Sequence, residues 1–363
     1  MPAARGRSLP RMPKLKTPKS VSPARVALAL AAALLLTGCD LFKPSRKVAT
    51  PQLLTPLAEA DLPQMFAEIS RLAAVRSLNG KVDVQFLDNS FAECGLVEKY
   101  KTADGRVVVQ RPGQIYLLIQ VPIAGTKVAE MSSNGEKFWA AVYQGDPRYK
   151  RFVTGTNTAT YERLEADGRG ASPDCGGGGK KREEAMQRAT MSALSSLRPQ
   201  HLTEALLVPA PAPDDPNRVY AVAESFEEEA DTRPAAKPGA RVVRGYYILS
   251  ELEPQGQGRA RVLRRFWFDR VGQLRLARVQ SYGERGQLQT DVVYAGQQGF
   301  GEEGRHRLPA RVDLTRPQER YSIRISFQDP GAVKVDQQYD PDIFVLKNTS
   351  GLQEVDLDAK GKP

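Results

Sequence analysis

Tyr321, Ile323, Ile325 and Phe327 alternate with Ser322, Arg324, Ser326 and Gln328, a period of two that fits an extended strand with one buried and one wetted face. The pattern recurs in Val82, Val84 and Phe86 against Lys81, Asp83 and Gln85, then at about Leu96 to Thr102, Arg106 to Gln110, Gln114 to Val121 and near Arg148 to Val153. It resumes in Val242 to Leu249, Val262 to Phe268, Leu274 to Tyr282, Leu288 to Tyr294 and Leu308 to Leu314, with a last strand near Val333 to Gln338. Asp269-Arg270-Val271-Gly272 and Gly283-Glu284-Arg285-Gly286 supply turns. Ten or eleven such antiparallel strands with few helices predict a mainly β chain folded as a barrel or a strongly curved sheet.

Local signals place the rest. Asp61 can cap a helix, with Gln64 completing a capping box and Pro63 tolerated in the first turn. Met65, Ile69, Leu72 and Val75 give that helix its apolar face. Asn134-Gly135 predicts a two-residue type I′ hairpin turn, with Met131 facing Phe138, Ala129 facing Ala140 and Glu130 paired with Trp139. Between Thr154 and Pro238 the alternation breaks. Glu183 to Leu197 and His201 to Leu207 predict helices there, and Pro209 to Pro216 and Glu227 to Pro238 predict surface loops.

The chain begins with seven Arg or Lys and no acid through Arg25, then an apolar run from Val26 to Leu36. These are the parts of an export signal, too short to span a bilayer and stop there. Leu36-Thr37-Gly38-Cys39 resembles the lipobox of bacterial lipoproteins. The resemblance implies cleavage before Cys39, acylation of that residue, and a lasting membrane anchor, because several acyl chains make release negligible. An ordinary secretory signal that carries a cysteine is the plainer alternative. The expected organisation is a signal peptide at 1–38, the lipidated cysteine and a flexible tether at 39–60, a β domain at 61–346 with an insertion at about 155–238, and a disordered tail at 347–363. The address is the bacterial cell envelope, facing the periplasm, with the inner or outer membrane left open.

The formal charge of +10 shrinks to +3 once the seven basic residues of the signal are removed. Lys180-Lys181-Arg182 is followed at once by Glu183-Glu184, a mixed surface rather than the basic stripe of a nucleic-acid protein. With Cys39 assigned to the lipid, Cys94 and Cys175 remain; the envelope permits a disulfide between them, and two free thiols are the alternative.

No catalytic set emerges. Gly176 to Lys181 lacks the Ser or Thr that follows the lysine of a phosphate-binding loop and has Asp174 in place of its first glycine. His201 and His306 lie far apart with no metal-ligand spacing and read as surface or loop residues. No nucleophile elbow surrounds Ser132 and Ser133, the Glu183-Glu184 and Glu227-Glu228-Glu229 runs read as solvated acids, and Trp139 and Trp267 read as strand packing. The expectation is a non-enzymatic chain with no metal and no cofactor.

Leu78-Asn79-Gly80-Lys81-Val82, Arg111-Pro112-Gly113-Gln114-Ile115, Val121-Pro122-Ile123-Ala124-Gly125 and Ser132-Ser133-Asn134-Gly135-Glu136, in this order of elements behind a lipobox, resemble the LolA/LolB-like family of lipoprotein carriers and receptors. That resemblance implies an incomplete antiparallel β-barrel, a strongly curved sheet with a few helices acting as lid or plug, whose apolar interior receives acyl chains or lipidated proteins, with lipids or lipoproteins as partners. It also implies an exposed apolar residue on a loop between early strands, which falls on Ile123. Candidate cavity residues are Val82, Val84, Phe86, Ile115, Leu117, Ile119, Met131, Phe138, Phe266 and Phe268. The same pattern also describes a filled core, which would suit a structural or adaptor lipoprotein of an envelope complex. The oligomeric state is left open.

Overall fold

The computed structural model describes residues 50–88, 98–99, 102–144, 147, 150–157, 159 and 197–360. Cys39, Cys94, Cys175, the signal segment, the glycine run and most of the helix expected at Glu183 to Leu197 lie outside them. All the elements below belong to the unit Pro51–Pro363. In chain order they are β1 (Gln52–Leu53), α1 (Leu62–Ala73), β2 (Ser77–Asp88), β3 (Glu98–Lys99), β4 (Ala103–Gln110), β5 (Gln114–Gln120), β6 (Lys127–Asn134), β7 (Lys137–Val142) and β8 (Arg151–Thr156). There follow α2 (Pro199–Leu206), β9 (Val219–Ala230), β10 (Arg241–Gly256), β11 (Arg259–Asp269), β12 (Arg275–Tyr282), β13 (Leu288–Phe300), β14 (His306–Arg316) and β15 (Tyr321–Phe327). Last come β16 (Lys334–Val335), β17 (Gln353–Asp356) and α3 (Leu357–Lys360).

The two clearest alternating segments of the sequence lie side by side. Strand β15 pairs antiparallel with β2, setting Ile323 opposite Phe86, Ile325 opposite Val84 and Phe327 opposite Val82. This pairing joins the early strands β2 to β8 to the late strands β9 to β15 in one sheet. Their apolar positions form a continuous inner face, and α1 and α2 bury Met65, Ile69 and Leu72, and Leu202, Ala205 and Leu206, in the same core. Helix α1 starts as expected: the Asp61 carboxylate accepts from the Gln64 amide at 2.9 Å, and the Gln64 side chain accepts from the Asp61 amide at 2.9 Å.

The expected incomplete barrel is not what the chain forms. The sheet runs from β9 through β10, β11, β12, β13, β14, β15, β2, β4, β5, β6, β7 and β8 to β17. Among the described residues no pairing joins the two ends, and the sheet is neither closed nor strongly curled. It is also mixed, because β1 adds to β10 and β17 adds to β8 in parallel. Alternation reports only that a strand has one apolar and one polar face, which an open sheet satisfies equally. Closure depends on edge pairing and stagger, and periodicity carries neither.

Three further expectations change. The hairpin at Asn134-Gly135 pairs Met131 with Ala140, Ser133 with Phe138 and Ala129 with Val142. Asn134 thus stands before the turn rather than within it. Its Oδ1 accepts from the Glu136 and Lys137 amides at 3.0 and 2.8 Å, while Gly135 supplies the positive φ of 101°. Each residue keeps its expected face, because the shift is by an even number. The loop expected from Glu227 begins as strand β9, which pairs with β10 along its full length. The tail expected to be disordered beyond Lys347 instead adds β17 to β8: Val355 stands opposite Val153, Thr156 Oγ1 donates to the Asp358 carboxylate at 2.9 Å, and Leu357 joins the core.

Arg111, in the turn between β4 and β5, holds the ends of both helices. Its Nε donates to the Val75 carbonyl at 2.9 Å, just beyond α1, and its Nη2 donates to the Val208 carbonyl at 2.8 Å, just beyond α2. Desolvation lowers its pKa from the usual arginine value. Arg111→Ala is expected to cost about 2 to 3 kcal/mol in denaturant unfolding, the size of lost hydrogen bonds from a charged donor. It should also speed amide exchange in α1 and α2 ahead of the sheet.

Candidate functional site

The ten residues expected to line a cavity come together. Val82, Val84 and Phe86 of β2, Ile115, Leu117 and Ile119 of β5, Met131 of β6, Phe138 of β7, and Phe266 and Phe268 of β11 are all buried in one cluster. Near the helix ends, Leu72, Val75, Leu206, Val208, Tyr294 and Phe300 help to enclose a void of about 20 Å³, room for about one water; none of the ten residues lines it.

A larger groove of about 550 Å³ is lined by Glu229, Arg244, Tyr246, Trp267, Arg278 and Arg311, among others. Its charge makes it a poor solvent for hydrocarbon.

Ile123 stands outside the core, between β5 and β6, and is fully exposed. Its φ of 69° is a left-handed conformation that a β-branched side chain adopts only under strain. The turn is held from below: Val121 donates to the Thr126 carbonyl at 2.9 Å, Gly125 donates to the Val121 carbonyl at 3.1 Å, and the Gln120 side-chain amide donates to the Gly125 carbonyl at 2.8 Å.

Glu130, a residue that sequence reasoning placed only in a hairpin pair, is buried on β6 beyond this turn. It is 4% exposed and accepts from Tyr116 and Tyr143 hydroxyls, each at 2.6 Å, and from Lys127 Nζ at 2.9 Å. Burial by itself would raise its pKa, but the three donors overcome that and hold it below the usual carboxylate range. The phenols of Tyr116 and Tyr143 are pushed up, first by burial and then by the carboxylate they serve. An acid amid the alternating residues Tyr116, Leu118, Glu130 and Ser132 was the available signal.

His201 also departs from its expected surface place. It lies on α2, with Nδ1 3.2 Å from the Tyr321 hydroxyl. Burial, followed by the nearby Arg316 and Arg198 charges, pushes it down to about 3, so it is neutral. His306 opens β14, distant in the chain and with no metal cluster around it. Among the described residues no group of three or more His, Cys, Asp or Glu is arranged to hold a metal ion, and no helix is long and apolar enough to cross a membrane.

No family model and no curated protein matches the chain. Among solved structures, a DUF1329 family protein from Desulfovibrio piger is 12% identical, with a TM-score of 0.39 over 80% of this chain and 97% of that one. A LolA superfamily protein from Nitrosomonas europaea is 11% identical, with a TM-score of 0.36 over 79% of this chain and 99% of that one. A domain described as an outer membrane lipoprotein-sorting protein domain, from Vibrio parahaemolyticus, is 12% identical, with a TM-score of 0.35 over 78% and 94%. The similarity to each is weak and partial.

Proposed function

We propose that this chain is a non-enzymatic envelope lipoprotein, tethered through lipidated Cys39, that takes up acyl chains or lipidated proteins during lipid or lipoprotein localisation. The observation that carries the reading is Ile123: a fully exposed aliphatic side chain on a turn with a strained backbone, whose ends are tied by hydrogen bonds from Val121, Gly125 and Gln120. Backbone strain of this kind costs about 1–3 kcal/mol and persists where the exposed group has work to do. Ile123 is assigned the first contact with hydrocarbon, and the layer around Val82, Leu117 and Phe266 is assigned its reception beneath α1 and α2. Each methylene that leaves water for such a layer gains about 0.8 kcal/mol, so transfer runs downhill without a covalent step.

The complete burial of Val82, Leu117 and Phe266 favours a second reading, in which the layer is a permanently filled core and the chain is a structural or adaptor component of an envelope complex. Organic-solvent extraction of the protein lacking its own lipid, followed by mass spectrometry, separates the two. Co-purified acyl lipid at near one per chain is the expected result. A lipid-free extract, together with failure to bind added acyl probes, favours the filled core.

A further inference from the structure

Strand β9 ends the sheet. Its twelve residues pair with β10 on one side, and among the described residues nothing pairs with the other. Free edges are ordinarily blunted by charged side chains, proline or a bulge; β9 carries Glu224, Glu227, Glu228 and Glu229, and no charge from Val219 to Ala223. Val219–Ala230 contains no lysine, proline or glycine, pairs with β10 without a register shift, and leaves Val219, Val222 and Phe226 exposed.

We propose that β9 pairs antiparallel with β9 of a second copy of this chain, joining two sheets across a two-fold axis. In such a pair only residues of like parity oppose one another, and the acids restrict the register. Centring the axis on Glu224, Glu227, Glu228 or Glu229 sets a carboxylate opposite itself, and centring it on Phe226 sets Glu224 opposite Glu228, arrangements that like-charge repulsion disfavours. Centring it on Ala223 opposes Val222 with Glu224, Ala221 with Ser225, Tyr220 with Phe226, and Arg218 with Glu228. Of the remaining centres along β9, this one gives Phe226 an aromatic partner and also sets Glu228 opposite Arg218, which pairs with Asp215, Glu251 and Glu253 of its own copy.

Faces agree as well. Tyr220, Val222 and Phe226 stand opposite Glu251, Leu249 and Gly245 of β10, on the inner side of the sheet. Tyr220 already meets Phe66 of α1 edge to face, with ring centroids 4.9 Å apart. The partner's Phe226 would extend that contact, so pairing covers the exposed aromatic and makes one apolar face continuous across both copies.

Cysteine pairing on the full chain reads the register. Ala223→Cys faces itself across the axis, at the ~4.5–5.5 Å Cα separation of opposed strand residues, which lies within disulfide reach. Ala221→Cys faces Ser225 and stands away from its own copy. Mild oxidation in the membrane is expected to give a covalent dimer for A223C, and no increase over the unmodified chain for A221C. Light scattering of the detergent-solubilised full chain should give the mass of two copies. A223D, which opposes two carboxylates, should halve that mass, and A223S should preserve it. A single-copy mass for the unmodified chain, or equal cross-linking at 221 and 223, overturns the proposal.

Discussion

Ile123→Glu is expected to abolish delivery of lipidated proteins, read by membrane fractionation of a strain that carries only this variant, while the melting temperature stays within about 2 °C. The second half follows from exposure: a fully exposed side chain makes few contacts to lose, and surface substitutions commonly lie within about 0.5 kcal/mol of neutral. The first half follows from transfer energetics, because a carboxylate at the tip must be desolvated before hydrocarbon can touch it. Ile123→Asn sharpens the point. Asparagine accepts the left-handed conformation more readily than isoleucine, so this variant should gain about 1 kcal/mol of stability and still lose delivery. A protein made more stable and less active by one exposed change would show that the strain serves function. Undiminished delivery by both variants would remove Ile123 from the mechanism.

Acid is expected to destabilise the protein through His201. The group is neutral in the fold with its pKa depressed to about 3, whereas an unfolded histidine titrates near ~6.5. Above that value neither state is protonated and His201 contributes no pH dependence. Below it the unfolded chain binds a proton that the native chain refuses, so stability falls by about 1.4 kcal/mol per pH unit until the folded pKa is reached. Between pH ~6.5 and ~4.5 the loss from this group is about 2 to 3 kcal/mol. Urea unfolding across that range should show the slope, and His201→Gln should flatten it. Because α2 carries His201 against Tyr321 of β15, amide exchange in α2 should rise first as the pH drops. An unchanged slope in the glutamine variant would mean that the imidazole is already solvated.

Local order was largely legible in the sequence, and global closure was not. Tyr321 to Phe327 is a strand with the expected ends, and Asp61 with Gln64 caps α1, because period and cap chemistry are properties of a few adjacent residues. The hairpin at Asn134 kept its faces and lost its register, because the choice between Asn134 as a turn residue and as a side-chain acceptor depends on which amides its Oδ1 meets. Strand β9 was hidden by its acids: Tyr220, Val222 and Phe226 alternate, but Glu224 and Glu228 share their face and interrupt the apolar signal. The tail was read as polar because Val355 and Leu357 alone are too few to show a period, although Val355 packs against the core and Leu357 joins it.

At the candidate site the same division holds. The ten apolar residues that alternation singled out lie in one buried cluster, but whether they enclose space depends on how closely α1 and α2 approach, and Arg111 binds the ends of both. Glu130 was visible as an acid within a hairpin strand. Its burial depends on Tyr116, Lys127 and Tyr143, brought to it by pairing across β5, β6 and β7.

The central claim is that hydrocarbon reaches the layer between the helices and the sheet. Photo-cross-linking with a diazirine-bearing fatty acid, followed by peptide mass spectrometry, tests it most directly. Adducts on the peptides carrying Val82, Leu117 and Phe266, reduced in Ile123→Glu, are the predicted result. Adducts confined to exposed surface peptides, with that layer unlabelled at saturating probe, would contradict it.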